Sequence, residues 1–329
     1  MEKYSRRTVA ETPKTPETKS FYELHKKEVF KLTTLANLDI APDISLSDLV
    51  ESTQPWAKGD HYDPQFPINQ SFEQTQEALE VFKSLGFLEL VEPEGGEYDQ
   101  VLILGGEQNS NHIRIDFALN LLETGQATLS DDGTLVCLGG DRQLKVRELG
   151  AVGQDIEKIN NNPEMKNMWA NQLLRDEMTA SMTEESAMRV ALTARLGALN
   201  LVEKHIRLES SSTISHNVYS QHGFNIPNIA TVFAPKVHRP LGDPRHTTES
   251  TVVEWLNHLN PKEGSRVLFV SNAPYTIRTA RNFYTAVKNL RPDLKLDYSG
   301  AEAANDSLLS RRCYGELARL LFDDNKLSI

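Results

Sequence analysis

Short uninterrupted apolar runs recur along the last two-thirds of the chain, each broken by small or polar residues. Val101-Leu102-Ile103-Leu104 runs into Gly105-Gly106, and Leu135-Val136-Cys137-Leu138 runs into Gly139-Gly140. Their starts lie 34 positions apart (135 − 101), enough for a strand, a crossover helix over 113–123 and a second, parallel strand. A third run, Val267 to Val270, breaks at Ser271-Asn272-Ala273-Pro274. That break predicts a helix with a Ser or Asn oxygen at its N-cap and the proline in its first turn. Its buried face is read as Ile277, Ala280, Tyr284 and Val287. Shorter strands are predicted over 229–233 and 294–298, and helices over 183–199, 251–259 (after Thr247-Thr248-Glu249-Ser250) and 307–322. Runs of this kind are those of strands buried on both faces. Strands alternating with helices then predict a mostly parallel sheet with helices on both faces, a three-layer, Rossmann-like α/β fold.

The pattern before residue 96 is different. Residues 1–20 are rich in Thr, Lys, Glu and Pro and read as a disordered tail. Helical periodicity appears over 21–38, 46–51 and 71–85, the last with Ser71 as cap and Gly86 as terminator. Residues 21–95 are thus a helical prefix, a cover with an unidentified protein partner as the alternative, and 96–329 the α/β domain. Two stretches interrupt the α/β pattern as insertions, near 150–180 and 204–225; the second is rich in Ser and His and reads as a loop.

Composition narrows the function classes. The formal net charge of −11 argues against nucleic acid and against anionic membrane surfaces as partners. No window approaches the length of an apolar membrane span, and residues 1–19 lack the apolar core of a signal peptide. Two cysteines, Cys137 and Cys313, build neither a disulfide framework nor a cysteine zinc site, which points to a reducing, cytoplasmic setting.

Ligands of open α/β sheets gather at the carboxyl ends of the strands, where strand order reverses. Three turns have suitable composition. They are Gly105-Gly106 with Asn109 and Arg114 following, Gly139-Gly140-Asp141-Arg142, and Ser271-Asn272 with Arg278 and Arg281 following. Glycines admit a ligand to the backbone, helix N-termini offer N–H groups to an anion, and arginine forks onto carboxylate or phosphate. Tight strand–helix packing explains a diglycine equally well. Arg278 and Arg281 stand at the helix end that disfavours cations, and a broken local rule of this kind marks a functional position. Glu184 and Glu185, at a helix start, are candidates for a ribose contact or a general base, although the helix dipole alone also favours carboxylates there. GxGxxG, Walker A and G-x-S-x-G sequences are absent. The histidine spacings, His216/His222 and His238/His246, imply no metal site; His246, beside Arg245 and Thr247-Thr248, is either a site residue or part of a solvated loop.

Taken in order, these motifs resemble the domain-of-unknown-function family that includes the SanA, ElyC and YdcF proteins. The likeness covers roughly 98–290. It rests on the two strand–diglycine units with Arg114, on Thr183-Glu184-Glu185-Ser186-Ala187-Met188, and on the Val267–Ser271 run leading to Arg278. A Thr-rich segment belongs to the pattern, either 212–217 or, fitting better, 246–250 with Thr248. The resemblance implies a Rossmann-like core and a polar crevice lined by the diglycine turns, a helix-start glutamate and Arg278. It implies S-adenosylmethionine as the ligand, with a nucleotide in the same role. Envelope functions belong to the membrane-anchored members. The expected function is that of a small-molecule-binding α/β protein, an enzyme of the transferase or phosphoester-hydrolase type acting with a nucleoside-containing or anionic ligand. A non-catalytic sensing or interaction module is the alternative.

Overall fold

The computed structural model describes residues 20–41, 43–58, 62–63, 65–68, 70–140, 142–162, 182–198, 202–203, 207–208, 214–219, 225–234, 247–304 and 306–327. They fall into two compact units, Met1–Leu85 with Ser310–Ile329, and Gly86–Leu309.

The first unit is helical. α1 (Phe21–Leu35), α2 (Leu46–Lys58), α3 (Phe72–Ser84) and α9 (Leu309–Leu327) supply its core. Ser71 caps α3 in a reciprocal capping box with Gln74, as the sequence predicts. The helix expected over 46–51 continues for two further turns. Val29, Leu32, Leu49, Trp56, Phe82 and Leu317 are buried around Tyr314. The Trp56 and Phe82 rings meet Tyr314 edge-on at 5.0 and 4.9 Å, and its hydroxyl donates to the Leu32 carbonyl. A buried phenol needs such a partner. The closing helix, read from sequence as the end of the α/β domain, therefore groups with the prefix helices.

The second unit is a sheet with helices on both faces. β1 (Glu97–Leu104), β2 (Thr128–Gly140), β6 (Asn225–Ala234), β7 (Arg266–Asn272) and β8 (Lys295–Ala301) pair in parallel in the order β6-β2-β1-β7-β8. Numbered first to fifth along the chain, these five strands lie in the order 3-2-1-4-5, the doubly wound arrangement whose switch point falls between the first and fourth strands. β1 and β7 are those strands. One face of the sheet, with Val101, Ile103, Leu268 and Val270, packs α4 (Gln108–Glu123) and α6 (Glu184–Ala198). The other, with Leu102, Leu104, Val267 and Phe269, packs α7 (Thr248–Leu259) and α8 (Thr276–Leu290). The runs 101–104, 135–138 and 267–270 are continuously apolar because both faces of the sheet are covered there.

Three elements differ from their sequence expectation. The polar stretch after β2 opens with a helix, α5 (Val146–Asn161), whose buried face is Glu148, Val152, Asp155 and Ile159. Two carboxylates in that stripe hide its helical period. The presumed loop over 204–225 contains β4 (Arg207–Leu208) and β5 (Ile214–Tyr219); with β3 (Val202–Glu203), they extend the sheet by antiparallel pairing beyond β6. The buried face of α8 is Ala280, Phe283 and Val287, with Tyr284 only partly buried. No helix among the described residues is long and apolar enough to cross a membrane.

Candidate functional site

β1 ends at Leu104, and α4 begins four residues later without a side-chain cap from Glu107. Its first N–H, that of Gln108, is met from elsewhere in the chain. Glu148, from α5, accepts the Gln108 N–H at 3.2 Å and the Lys145 N–H at 2.9 Å. Arg142 forks onto the same carboxylate at 2.7 and 2.9 Å and reaches Glu184 at 3.0 Å with Nε. A carboxylate carried by the protein thus stands where a helix N-terminus favours an anion. Burial works to raise the Glu148 pKa, but Arg142 and the two N–H donors outweigh it and hold the carboxyl below its ordinary value. Burial works to lower that of Arg142, and the two carboxylates more than reverse it.

The first diglycine is shaped by this network. A Cβ on Gly105 would overlap the Glu184 carboxylate and lie 2.8 Å from the Leu138 carbonyl. One on Gly106 would press on the Arg114 guanidinium at 3.1 Å. Arg114 is buried and turned back on its own turn: it donates to the carbonyls of Leu104 and Gly105 and, through Nε, to Asn272 Oδ1 at 2.7 Å. That bond ties α4 to β7 across the switch point. Asn111 accepts the Gly106 N–H at 2.9 Å.

On α4 and α5 the network continues outward. Gln108, fully buried, donates through Nε2 to Asp155 at 3.1 Å, and the same carboxylate oxygen lies 2.5 Å from His112 Nε2. Lys158 reaches the other oxygen at 3.3 Å. Burial raises the Asp155 pKa, and His112 and Lys158 bring it below its ordinary value.

Across the switch point, α8 starts differently. Ser271 and Asn272 were expected to cap it, but they complete β7, and a cis Ala273–Pro274 peptide precedes the N-cap residue, Tyr275. Tyr275 makes no side-chain cap bond, and the first turn carries no acidic residue. Ser271 pairs in register with Gly300 of β8, and Thr276 Oγ1 stands against Gly300, where a Cβ would overlap it. In-register partners point to the same face, so both hydroxyls lie between the sheet and the first turn of α8. Both are buried, and neither has a hydrogen-bond partner among the described residues.

Of the residues singled out from sequence, Gly105, Gly106, Arg114, Glu184 and Asn272 converge on the switch point. Ser271 borders it under α8, and Arg278 is partly buried on the first turn of that helix. Asn109 is exposed on α4. Gly139 and Gly140 are the buried last residues of β2, paired with Phe233 and Ala234. Thr248 opens α7, where Thr247 is the cap. Asp141, His246 and the side chains of Glu185 and of 212–217 lie outside the described residues. His112, Glu148, Asp155, Thr276 and Gly300 escaped the sequence reading, and Gln108 lay within the first candidate turn without a role of its own. Only the i, i+4 pair Gln108/His112 left a local signal.

The opposite end of the sheet also carries a polar cluster, closed on itself. The buried Tyr98 hydroxyl donates to Asp297, which also accepts the Glu94 N–H at 2.7 Å, while Arg266 lies over the Tyr98 ring at 4.3 Å. Burial and the Asp297 bond push the Tyr98 pKa up. Among the described residues no group of three or more His, Cys, Asp or Glu assembles that could hold a metal ion. No protein-family model matches the chain, and no curated protein matches it significantly.

Proposed function

We propose that the chain is a small-molecule-binding α/β protein of the SanA/ElyC/YdcF type. In this reading it is an enzyme using a nucleoside-containing or anionic ligand, S-adenosylmethionine or a nucleotide, at the switch point between β1 and β7. The observation that carries the reading is the start of α8: a helix N-terminus without a side-chain cap bond, beneath which two buried hydroxyls, Ser271 and Thr276, have no hydrogen-bond partner among the described residues. Helix N–H groups and hydroxyls together suit a ligand carboxylate or phosphate. Arg278 adds a guanidinium on the same turn, and Glu184 supplies the carboxylate for a ribose hydroxyl or for proton transfer. The negative net charge and two cysteines without a disulfide support a cytoplasmic protein that acts on a small ligand rather than on nucleic acid or membrane.

A non-catalytic sensor or interaction module is the second reading. It is favoured by the engagement of Glu184 and Arg114 in bonds within the chain. A thermal-shift screen with S-adenosylmethionine, ATP and sugar phosphates tests both. A shift in the wild type that disappears in Arg278→Ala and weakens in Thr276→Val, both folded by circular dichroism, supports the ligand site. No shift with any of these compounds would leave the interaction module. Turnover of a hit, followed by chromatography, separates enzyme from sensor.

A further inference from the structure

His112 and Asp155 form a pair that the ligand site does not use. It lies on the seam between α4 and α5. His112 Nε2 is 2.5 Å from Asp155 Oδ2. The carboxylate side chain is 3% exposed and the imidazole 32%. The carboxylate also accepts from Gln108 and Lys158, so it is fixed on three sides. Nδ1 has no hydrogen-bond partner among the described residues.

A buried carboxylate on one imidazole nitrogen sets the tautomer: the proton sits on Nε2 and the lone pair on Nδ1. It also stabilises the imidazolium that forms when Nδ1 bonds to an electrophile, as the third member of a triad does for its histidine. Lys158 Nζ contacts the other oxygen of the same carboxylate and its side chain is mostly exposed, so a cation stands beside the pair for an incoming anion.

The chain contains its own control. His258 on α7 meets Glu254 at 3.3 Å, with its imidazole 30% exposed. Its carboxylate partner, however, is 26% exposed and lies on the same helix, so solvent screens it.

We propose that His112 is a nucleophilic histidine that accepts a phosphoryl group from a small donor with a good leaving group, of the acyl phosphate or phosphoramidate class. The Nδ1 lone pair attacks phosphorus. The bond from phosphorus to the leaving group breaks, and the leaving group departs with the bonding pair, as carboxylate from an acyl phosphate or as ammonia from phosphoramidate. The Nε2 proton remains in its hydrogen bond to Asp155, which offsets the new imidazolium charge.

The test incubates the full chain with phosphoramidate near neutral pH and follows phosphorylation of the His112 and His258 peptides by mass spectrometry under alkaline handling. The expected result is labelling of His112 on Nδ1 at least tenfold faster than of His258, with the advantage lost in folded Asp155→Asn. Should that variant not fold, the same ratio is read for the wild type in denaturing urea, where it should fall to about one. Equal rates in the native protein, a label on Nε2, or an advantage that survives urea or folded Asp155→Asn would overturn the proposal. Thr276→Val and Arg278→Ala should label as the wild type does, so failure of the ligand site and failure of this proposal are read separately.

Discussion

The two helix starts that flank the switch point, β1 into α4 and β7 into α8, begin with the same deficit and meet it in opposite ways. Neither Glu107 nor Tyr275 provides a side-chain cap. At α4 the chain supplies the anion itself: Glu148 accepts the Gln108 N–H and is neutralised by Arg142. At α8 no acid stands in the first turn, and the buried hydroxyls of Ser271 and Thr276 have no partner among the described residues. A diglycine turn beside a helix N-terminus is therefore not by itself a ligand cradle. At α4 the space left by Gly105 and Gly106 holds Glu184 and Arg114. At α8 the unmatched hydrogen-bonding capacity is that of Ser271, at the end of β7, and Thr276, the first residue of the helix.

The sharpest way to break this contrast is Arg142→Ala. It leaves two buried carboxylates, Glu148 and Glu184, without their guanidinium. Removing one partner of a buried ion pair costs about 3 to 5 kcal/mol. Urea unfolding should show a loss of that size. A loss below about 1 kcal/mol would mean that the α4 start does not depend on its internal anion.

A smaller effect separates the two glycines. Gly105→Ala and Gly300→Ala each force a methyl into a filled space, at a typical cost of about 1 to 3 kcal/mol. At Gly105 the obstacle includes backbone, the Leu138 carbonyl at 2.8 Å, which cannot be trimmed away. At Gly300 the obstacles are all side-chain atoms of Thr276. Gly300→Ala should therefore recover most of its loss when combined with Thr276→Ala, a coupling that a double-mutant cycle measures directly. Equal, unrecoverable losses at both positions would show that the α8 start is as rigidly filled as that of α4.

Much of the frame behind this contrast was legible in the residue pattern. The runs at 101–104, 135–138 and 267–270 have the pattern expected of strands covered on both faces, and the 34-position spacing of the first two fits a parallel crossover. What did not show were elements whose inward faces are polar. α5 buries Glu148 and Asp155 beside Val152 and Ile159, so its apolar period is half missing. At the site, residue type indicated the region but not the allegiance of each group. Arg114 stands in the second turn of α4, near the helix start as a ligand-holding arginine would be, yet its long side chain folds back onto the Leu104 and Gly105 carbonyls. Composition carries no information about that competition between backbone and ligand. Glu148, 40 positions after Gln108, reaches it only because α5 crosses there.

The subtlest test uses acid. Glu148 and Asp155, both on the α4 side, have carboxyls held below their ordinary values. A carboxyl depressed in the folded state binds its proton less readily there than in the unfolded chain. Its stabilisation is complete above the ordinary carboxylate range of about 4 and drains away as pH falls through the lower folded value. The α8 start contributes no such dependence, since its buried groups are hydroxyls. Urea midpoints followed from pH 7 to pH 3 should fall more shallowly below about pH 4 in the Glu148→Gln, Asp155→Asn double variant than in the wild type. Thr276→Val should keep the wild-type slope, because dependences from carboxyls elsewhere are common to all three proteins and cancel in the comparison. If the double variant kept the wild-type slope, the two carboxylates would be equally protonated in folded and unfolded chains, and the internal anion at α4 would lose its energetic role.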